Sequence, residues 1–175
     1  MFYKVVFLSL FFVSLSFASN ALENIKSFQA NFVQIIKNSS NKTIEYKGEI
    51  FIKEPSKILW KYKEPIIKNV FVINSFAIVD EPELEQAIFT SLDNEIDIIK
   101  LLKSAKEVKE NTFKAEIKEV EYLILVKENK ISSISYKDQL ENSVVIEFSE
   151  IKQNMPIEDK TFSFNPPSHY DIIRK

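Results

Sequence analysis

The stretch from Gly48 to Pro65, GEIFIKEPSKILWKYKEP, holds both the only glycine and the only tryptophan of the chain. Apolar and charged residues alternate on either side of Glu54-Pro55, which is the period of a half-buried β-strand. The apolar positions of this alternation are Gly48, Ile50, Ile52, Ile58, Trp60 and Tyr62. The pattern predicts two strands joined by a turn that contains the proline. Their shared apolar face must meet a core, a partner or a ligand.

Alternating segments continue in both directions along the chain, and short polar links separate them. The predicted strands are residues 28–36, for which a helix is the alternative, and residues 44–53, 57–63, 70–73, 77–79, 113–117, 121–127, 130–137 and 143–147. Consecutive strands with short links predict an antiparallel meander. Such a sheet is apolar on one face only, so that face needs a cover.

Two segments have the spacing of a helix instead. From Asp93 to Val108 apolar residues recur every three or four positions, with lysines opposite, which predicts an amphipathic helix with Asp93 or Asn94 as its cap. A shorter helix is predicted over residues 20–25, with Asn20 as its cap. These two helices are the available cover for the sheet.

The first 18 residues predict a secretory signal peptide. Lys4 precedes an uncharged apolar run, and Ser16-Phe17-Ala18 supplies small residues before a cleavage site after Ala18. The run of about 13 residues is short of the roughly 20 that span a bilayer, which disfavours a membrane anchor. No cysteine follows the cleavage site to carry a lipid. We therefore expect residues 19–175 to form a single secreted domain.

The composition offers little for catalysis. The single histidine, His169, has no local partner, the chain has no cysteine, and one glycine cannot form a phosphate-binding loop. The acidic residues 80–85 lack the spacing of a calcium loop, so no metal site is predicted. Positive and negative charges are interleaved, with a net charge of −2, which disfavours nucleic acid as a partner. A hydrolase with paired carboxylates stays open.

Four segments carry a resemblance to a known family. They are FQANFVQ at 28–34, GEIFIKEPSKILWKY at 48–62, PELEQ at 82–86 and FSFNPPSHYDII at 162–173. In order and spacing they resemble motifs of the LolA family, the periplasmic carriers of outer-membrane lipoproteins in Gram-negative bacteria. The four together span nearly the whole secreted domain.

The resemblance implies a mostly β, α+β fold, namely an unclosed antiparallel β-barrel of about eleven strands with a lid of about three helices over a hydrophobic cavity. It implies a monomeric periplasmic chaperone without cofactor or catalysis, which binds the acyl chains of lipoproteins. An ABC transporter of the inner membrane would release this cargo, and an outer-membrane acceptor or the outer membrane itself would receive it.

The cavity implied by the resemblance would use the apolar face quoted above. The residues expected in its wall are Phe32, Ile50, Ile52, Trp60, Tyr62, Val72, Ile78, Ile146 and Phe148, and those expected in the lid are Ile98, Leu101 and Leu102. For any single one of these positions, plain core is an equal alternative. Trp60 is the strongest candidate, because a large aromatic side chain suits a cavity wall.

Three positions depart from the family pattern. Glu54 stands where well-known members carry a basic residue that holds the lid, so that role does not transfer. Ile78 and Asp80 occupy places that are usually aromatic, and the glycine of the last motif is missing near His169. The alternative function is a periplasmic binding module or sensor for another amphiphile, such as a glycolipid.

Overall fold

A computed structural model of the chain describes residue 22 and residues 24–73, 76–91 and 98–175. These residues form one sheet of twelve strands, one α-helix, α1 (Ile98–Ser104), and two 3₁₀ turns, Pro82–Leu84 and Asp159–Phe162. The strands are β1 (Ser27–Lys37), β2 (Thr43–Lys53), β3 (Lys57–Glu64), β4 (Lys68–Ile73), β5 (Phe76–Glu81), β6 (Gln86–Ser91), β7 (Lys106–Lys109), β8 (Thr112–Ile117), β9 (Val120–Lys127), β10 (Lys130–Lys137), β11 (Ser143–Gln153) and β12 (Asp171–Arg174). The fold is therefore mostly β.

The strand order is β12-β6-β5-β4-β3-β2-β1-β11-β10-β9-β8-β7. The long strands β1 and β11 pair at the centre, so the two halves of the chain meet there. Neighbours are antiparallel, except that β12 pairs in parallel with β6. Since β12 and β7 are the two ends of this order, the sheet is open.

The sheet buries two separate apolar clusters, one on each face. The inner face is the one that carries Phe28, Phe32 and Ile50, and it packs against Leu101 and Leu102 of α1. The outer face carries the second cluster, which consists of Leu59 and Phe71 from the sheet with Ile157 and Phe162 from the C-terminal segment. The predicted one-sided sheet is thus covered on its second face as well, by the chain's own C-terminus.

The turns are made without glycine. Eleven described residues have positive φ, and none of them is glycine. The two-residue links Lys118-Glu119 and Glu128-Asn129 have positive φ at both positions, as a type I′ hairpin requires. The one glycine, Gly48, lies inside strand β2.

Several sequence-based predictions need correction. The described residues contain twelve strands rather than about eleven, and one α-helix rather than about three. The helix predicted to reach Val108 ends at Ser104, because Glu107 pairs with Phe113 of β8 instead. Strand β6 was not predicted. The helix over residues 20–25 and the caps at 93 and 94 lie largely outside the described residues, although Leu22 and Ile25 are buried in the inner cluster.

Candidate functional site

An apolar cavity of about 480 Å³ lies between the inner face of the sheet and helix α1. One wall comes from β2, β3 and β4, the other from β9, β10 and β11, and Leu101 and Leu102 close it from the helix. Its volume falls in the range of about 300–1,000 Å³ that is usual for small-molecule pockets. The cavity can therefore hold an apolar ligand of modest size with the helix in place.

Most of the residues predicted for the site line this cavity. Those that do are Ile50, Ile52, Trp60, Val72, Ile146, Phe148, Leu101 and Leu102. Ile98 lies in the first turn of α1, but its side chain is outside the described part of the structure. The alternation read from the sequence thus predicted residues that line this cavity, and their contact with a ligand stays a prediction.

Phe32 and Tyr62 lie beside the lining residues. The Phe32 ring makes edge contacts with Trp60, at 5.0 Å between ring centroids, and with Tyr62, at 5.2 Å. Gly48 leaves room for this arrangement, because a Cβ there would lie 2.0 Å from the Lys61 carbonyl oxygen and 2.9 Å from the Phe32 ring. These two predicted residues therefore pack against the ring of Trp60 and do not line the cavity themselves.

Ile78 was predicted in the cavity wall, and this placement is wrong. In the β4–β5 hairpin Ile78 pairs with Phe71, whereas Val72 pairs with Ala77. Because side chains alternate between faces, Ile78 lies on the outer face with Phe71, against the C-terminal segment.

Sequence reasoning missed the part of the wall that β9 and β10 supply, although it predicted Ile146 and Phe148 of β11. The lining residues that were not predicted include Phe28, Ile117, Val120, Tyr122, Ile131, Ile134 and Tyr136. The sequence carries no clear signal for the face of β9, because Tyr122 to Val126 is an unbroken apolar run. Only the structure shows that Tyr122, Ile124 and Val126 are buried while Leu123 and Leu125 are exposed.

Four tyrosines stand on the inner face around one end of the cavity. Tyr122 and Tyr136 pack with ring centroids 4.9 Å apart, and Tyr46 and Tyr62 with centroids 5.7 Å apart. The Tyr62 hydroxyl donates to Gln34 Oε1 at 3.3 Å. Burial, together with nearby Tyr136 and Tyr46, raises the pKa of Tyr62 to about 12. Tyr62 is therefore a neutral hydrogen-bond donor at any physiological pH.

The cavity has two distinct ends. The mouth end carries the turns 38–42, 65–67, 118–119 and 138–142, since these links join strands at the same edge of the antiparallel sheet. Lys118, Asp138 and Gln139 from these turns are the polar residues among the cavity lining. The opposite end, the helix end, carries the turn 54–56 between β2 and β3.

Helix α1 is tied to the helix end by an ion pair between Lys103 and Glu54. A second set of ion pairs holds the C-terminal segment on the outer face, where Asp159 accepts from Lys53 Nζ at 2.8 Å and from Lys57 Nζ at 3.0 Å. These contacts hold the pKa of Asp159 at about 2. The two faces of the hairpin β2–β3 are thus each fastened to a different covering segment.

The described residues offer no chemistry for a metal. No group of three His, Cys, Asp or Glu residues among them could hold a metal ion. His169 is exposed, and its ring contacts the ring of Tyr170 at 5.2 Å between centroids. No helix in the described ranges is long and apolar enough to cross a membrane.

Comparisons with known proteins agree with this geometry. The family model described as outer membrane lipoprotein carrier protein LolA matches residues 23–165. The chain is 36% identical over 156 residues to an outer-membrane lipoprotein carrier protein of Wolinella succinogenes, covering 89% of this chain and 91% of that one. It is 34% identical over 151 residues to the protein of the same name from Campylobacter jejuni, covering 86% of this chain and 88% of that one.

Solved structures share the fold at low identity. An uncharacterized conserved protein from Thermus thermophilus superposes with a TM-score of 0.55 at 9% identity, covering 89% of this chain and 94% of that one. A LolA superfamily protein from Nitrosomonas europaea superposes with a TM-score of 0.50 at 13% identity, covering 83% and 94%. With the family model spanning most of the chain and several relatives above 30% identity, the chain belongs to the outer-membrane lipoprotein carrier protein (LolA) family.

Proposed function

We propose that this protein is a periplasmic carrier that binds the acyl chains of lipoproteins in the cavity under helix α1. The observation that carries the proposal is an apolar cavity of about 480 Å³, in a chain whose relatives are named outer-membrane lipoprotein carrier proteins. Its wall is built from aliphatic and aromatic side chains, and its polar residues lie at one end. An acyl chain needs this kind of lining, and no catalytic group takes part.

The cargo has to be released as well as bound. Burying each CH₂ of an acyl chain is worth about 0.8 kcal/mol against water, so several chains would never leave for water. The carrier exchanges cargo with membranes or other apolar sites, and only the difference between two apolar environments counts. The closed cavity has the size of a pocket for one modest ligand, so displacement of α1 provides the room for further chains.

The partners follow from this role. An ABC transporter in the inner membrane would load the carrier, and an outer-membrane acceptor or the outer membrane itself would unload it. The secreted form would begin at Ser19 without a lipid anchor. Intact-mass measurement of the periplasmic protein checks this, and retention of residues 1–18 or an added diacyl mass would contradict it.

The fluorescence of Trp60 tests binding directly, because it is the only tryptophan and it lines the cavity. A synthetic lipopeptide should shift its emission and saturate at one equivalent. Ile52→Asp places a carboxylate in the buried wall, where it costs several kcal/mol without a partner, and should abolish the shift.

Leu123→Asp is the matched control for this substitution. Leu123 points to the outer face of β9 and is 38% exposed, so its carboxylate stays in water and binding should persist. Circular dichroism must first show that both variants are folded. A folded Ile52→Asp variant that still binds the lipopeptide would make this face ordinary core and contradict the proposal.

A carrier of another amphiphile, such as a glycolipid, uses the same cavity and differs only in cargo. Mass spectrometry of acyl species that co-purify with the protein separates the two. A hydrolase with paired carboxylates finds less support, because Asp138 is the one carboxylate among the described lining residues. A purified protein that cleaved lipopeptides would reverse this preference.

A further inference from the structure

We propose that the mouth end of the cavity inserts into the surface of a phospholipid membrane through an apolar rim made of Ile44, Ile66, Ile67 and Leu140. The proposal rests on the carrier function, because it assigns the route by which acyl chains pass between the cavity and a bilayer. The four side chains are 50%, 49%, 47% and 80% exposed. They come from three separate parts of the chain, at the end of the sheet where Lys118, Asp138 and Gln139 line the cavity.

The rim continues the cavity wall. On β2 the inner-face residues run from Ile52 and Ile50, which are buried, through half-buried Tyr46 to Ile44, which is half exposed. Ile44 pairs with Ile36 of β1, and Ile36 packs against the inner cluster. Along β2, apolar and aromatic side chains therefore lead from the buried cavity to the tip of the sheet.

Leu140 is exposed by a turn that is built to present it. The Asp138 carboxylate accepts hydrogen bonds from the backbone N–H of Leu140 and Asn142, both at 2.9 Å, and from Asn142 Nδ2 at 2.8 Å. The order of this turn does not depend on the leucine side chain, which contacts water over 80% of its surface. A preformed polar turn thus holds an apolar side chain outward.

The turn 38–42 shows what the same geometry looks like without an apolar tip. Asn38 Oδ1 accepts from the backbone N–H of Ser40 and Lys42, both at 3.0 Å, as Asp138 does in its own turn. In both turns the fourth residue, Asn41 or Glu141, has positive φ. Ser40 therefore occupies the position of Leu140, so serine is compatible with this turn and leucine is not a requirement of folding.

The surroundings of Ile66 and Ile67 suit a lipid interface. Lys68 follows them, and its ammonium lies 4.6 Å from the centroid of the Tyr62 ring, whereas Lys63 is paired with Glu49 at 3.0 Å. Lysine side chains extend along apolar surface while their charge reaches the headgroups, and tyrosines are enriched at that depth. The tyrosines of the mouth end lie just inside the rim. A bilayer fits this combination of apolar tips, tyrosine and lysine, and an acyl chain that crosses such a contact never meets water.

The test removes the apolar tips and leaves the cavity intact. In the variant Ile66→Ser/Ile67→Ser/Leu140→Ser every substituted side chain is exposed and none lines the cavity. Phe76→Ser is the matched control, because Phe76 is 61% exposed at the helix end, in the β4–β5 hairpin. Cargo-free proteins are floated with vesicles of phosphatidylethanolamine and phosphatidylglycerol in equal parts.

The parent and the Phe76→Ser variant should float with the vesicles, and the triple variant should partition at least about tenfold more weakly. Lipopeptide transfer from loaded protein to vesicles should slow by a similar factor, while Trp60 fluorescence shows unchanged loading from solution. If parent and triple variant float equally and transfer lipopeptide equally fast, the proposal that the rim inserts into a membrane is overturned. A protein partner would then be the occupant of this end. If none of the proteins binds lipopeptide, the carrier function is overturned instead. Flotation would still show whether the rim inserts into membranes.

Discussion

Glu54, in the turn between β2 and β3, forms an ion pair with Lys103 on helix α1. The two side chains are 33% and 39% exposed, so the pair lies at the boundary between cavity cover and solvent. The resemblance placed a basic residue of the sheet at this turn, and here the acidic partner is on the sheet and the basic partner on the helix. The contact joins the helix that covers the cavity to the cavity wall.

Breaking this pair should loosen the cover of the cavity. We expect Lys103→Gln to speed hydrogen exchange of residues 98–104, with a loss of at most about 1 kcal/mol because the pair is partly exposed. Lys137→Gln is the control, since it breaks an exposed pair with Glu141 far from the helix. The exchanged pair Glu54→Lys/Lys103→Glu should recover slow exchange. Identical exchange in parent and Lys103→Gln would show that the ion pair does not hold the helix.

Gly48→Ala should destabilise the protein by about 3 kcal/mol or more. The added methyl would collide with the backbone oxygen of Lys61, at 2.0 Å, which cannot move without disturbing the pairing of β2 with β3. Chemical denaturation measures the loss. Ser132→Ala, at a half-exposed strand position, is a control that should cost far less. Equal stability of Gly48→Ala and parent would contradict the close approach.

Stability should fall at alkaline pH through Tyr62. Its pKa is raised from 10.0 to about 12, chiefly by burial, so the folded state holds the proton more tightly than the unfolded chain. The contribution is complete below about pH 10 and is lost as the pH rises toward 12. Tyr62→Phe cannot ionise and should keep its melting temperature further into this range than the parent. Superimposable alkaline profiles would exclude Tyr62 as the cause.

Stability should fall at acid pH through Asp159. Lys53 and Lys57 hold the pKa of its carboxyl at about 2, below its ordinary value of 3.8, so the stabilisation is present above about pH 4 and is lost as the pH falls toward 2. Asp159→Asn should melt earlier than the parent at neutral pH, with a gap that closes on acidification. Glu158→Gln, which alters an exposed pair with Lys160, is the control. A difference in melting temperature that does not change with pH would point to packing as the cause and contradict the role of the charge.

Local alternation predicted much of the sheet. The hairpin β2–β3 follows directly from the residues on either side of Glu54-Pro55, and its inner face lines the cavity through Ile50, Ile52 and Trp60. Period-2 patterns carry this information because each side chain is assigned to a face by its position alone. Recognising a strand did not always settle which residues face the cavity, since Ile78 was assigned to the wrong face and the lining residues of β9 and β10 were not assigned.

Features that depend on distant partners were not readable. The segment from Lys106 to Val108 continues the helical spacing, yet it pairs with β8, and only the presence of that strand decides against the helix. Strand β6 gains its second partner from the C-terminal β12, about 85 residues later in the chain. The outer cluster likewise needs Ile157 and Phe162 to cover Leu59 and Phe71. Such contacts are set by topology, which local propensity does not encode.

The glycine-free turns have a consequence for engineering this protein. Glu119 and Asn129 have left-handed backbone although each carries a side chain, which costs about 1 kcal/mol per residue. Glycine would remove this strain but would add a similar entropy cost to folding. Replacement by glycine is therefore close to neutral at these links, and the link Glu128-Asn129, which lies away from the mouth end, is the site for sequence changes. Gly48 is the reverse case, a strand position without room for a single methyl. Labels and grafts should go to the Glu128-Asn129 link and spare the strand that carries the glycine.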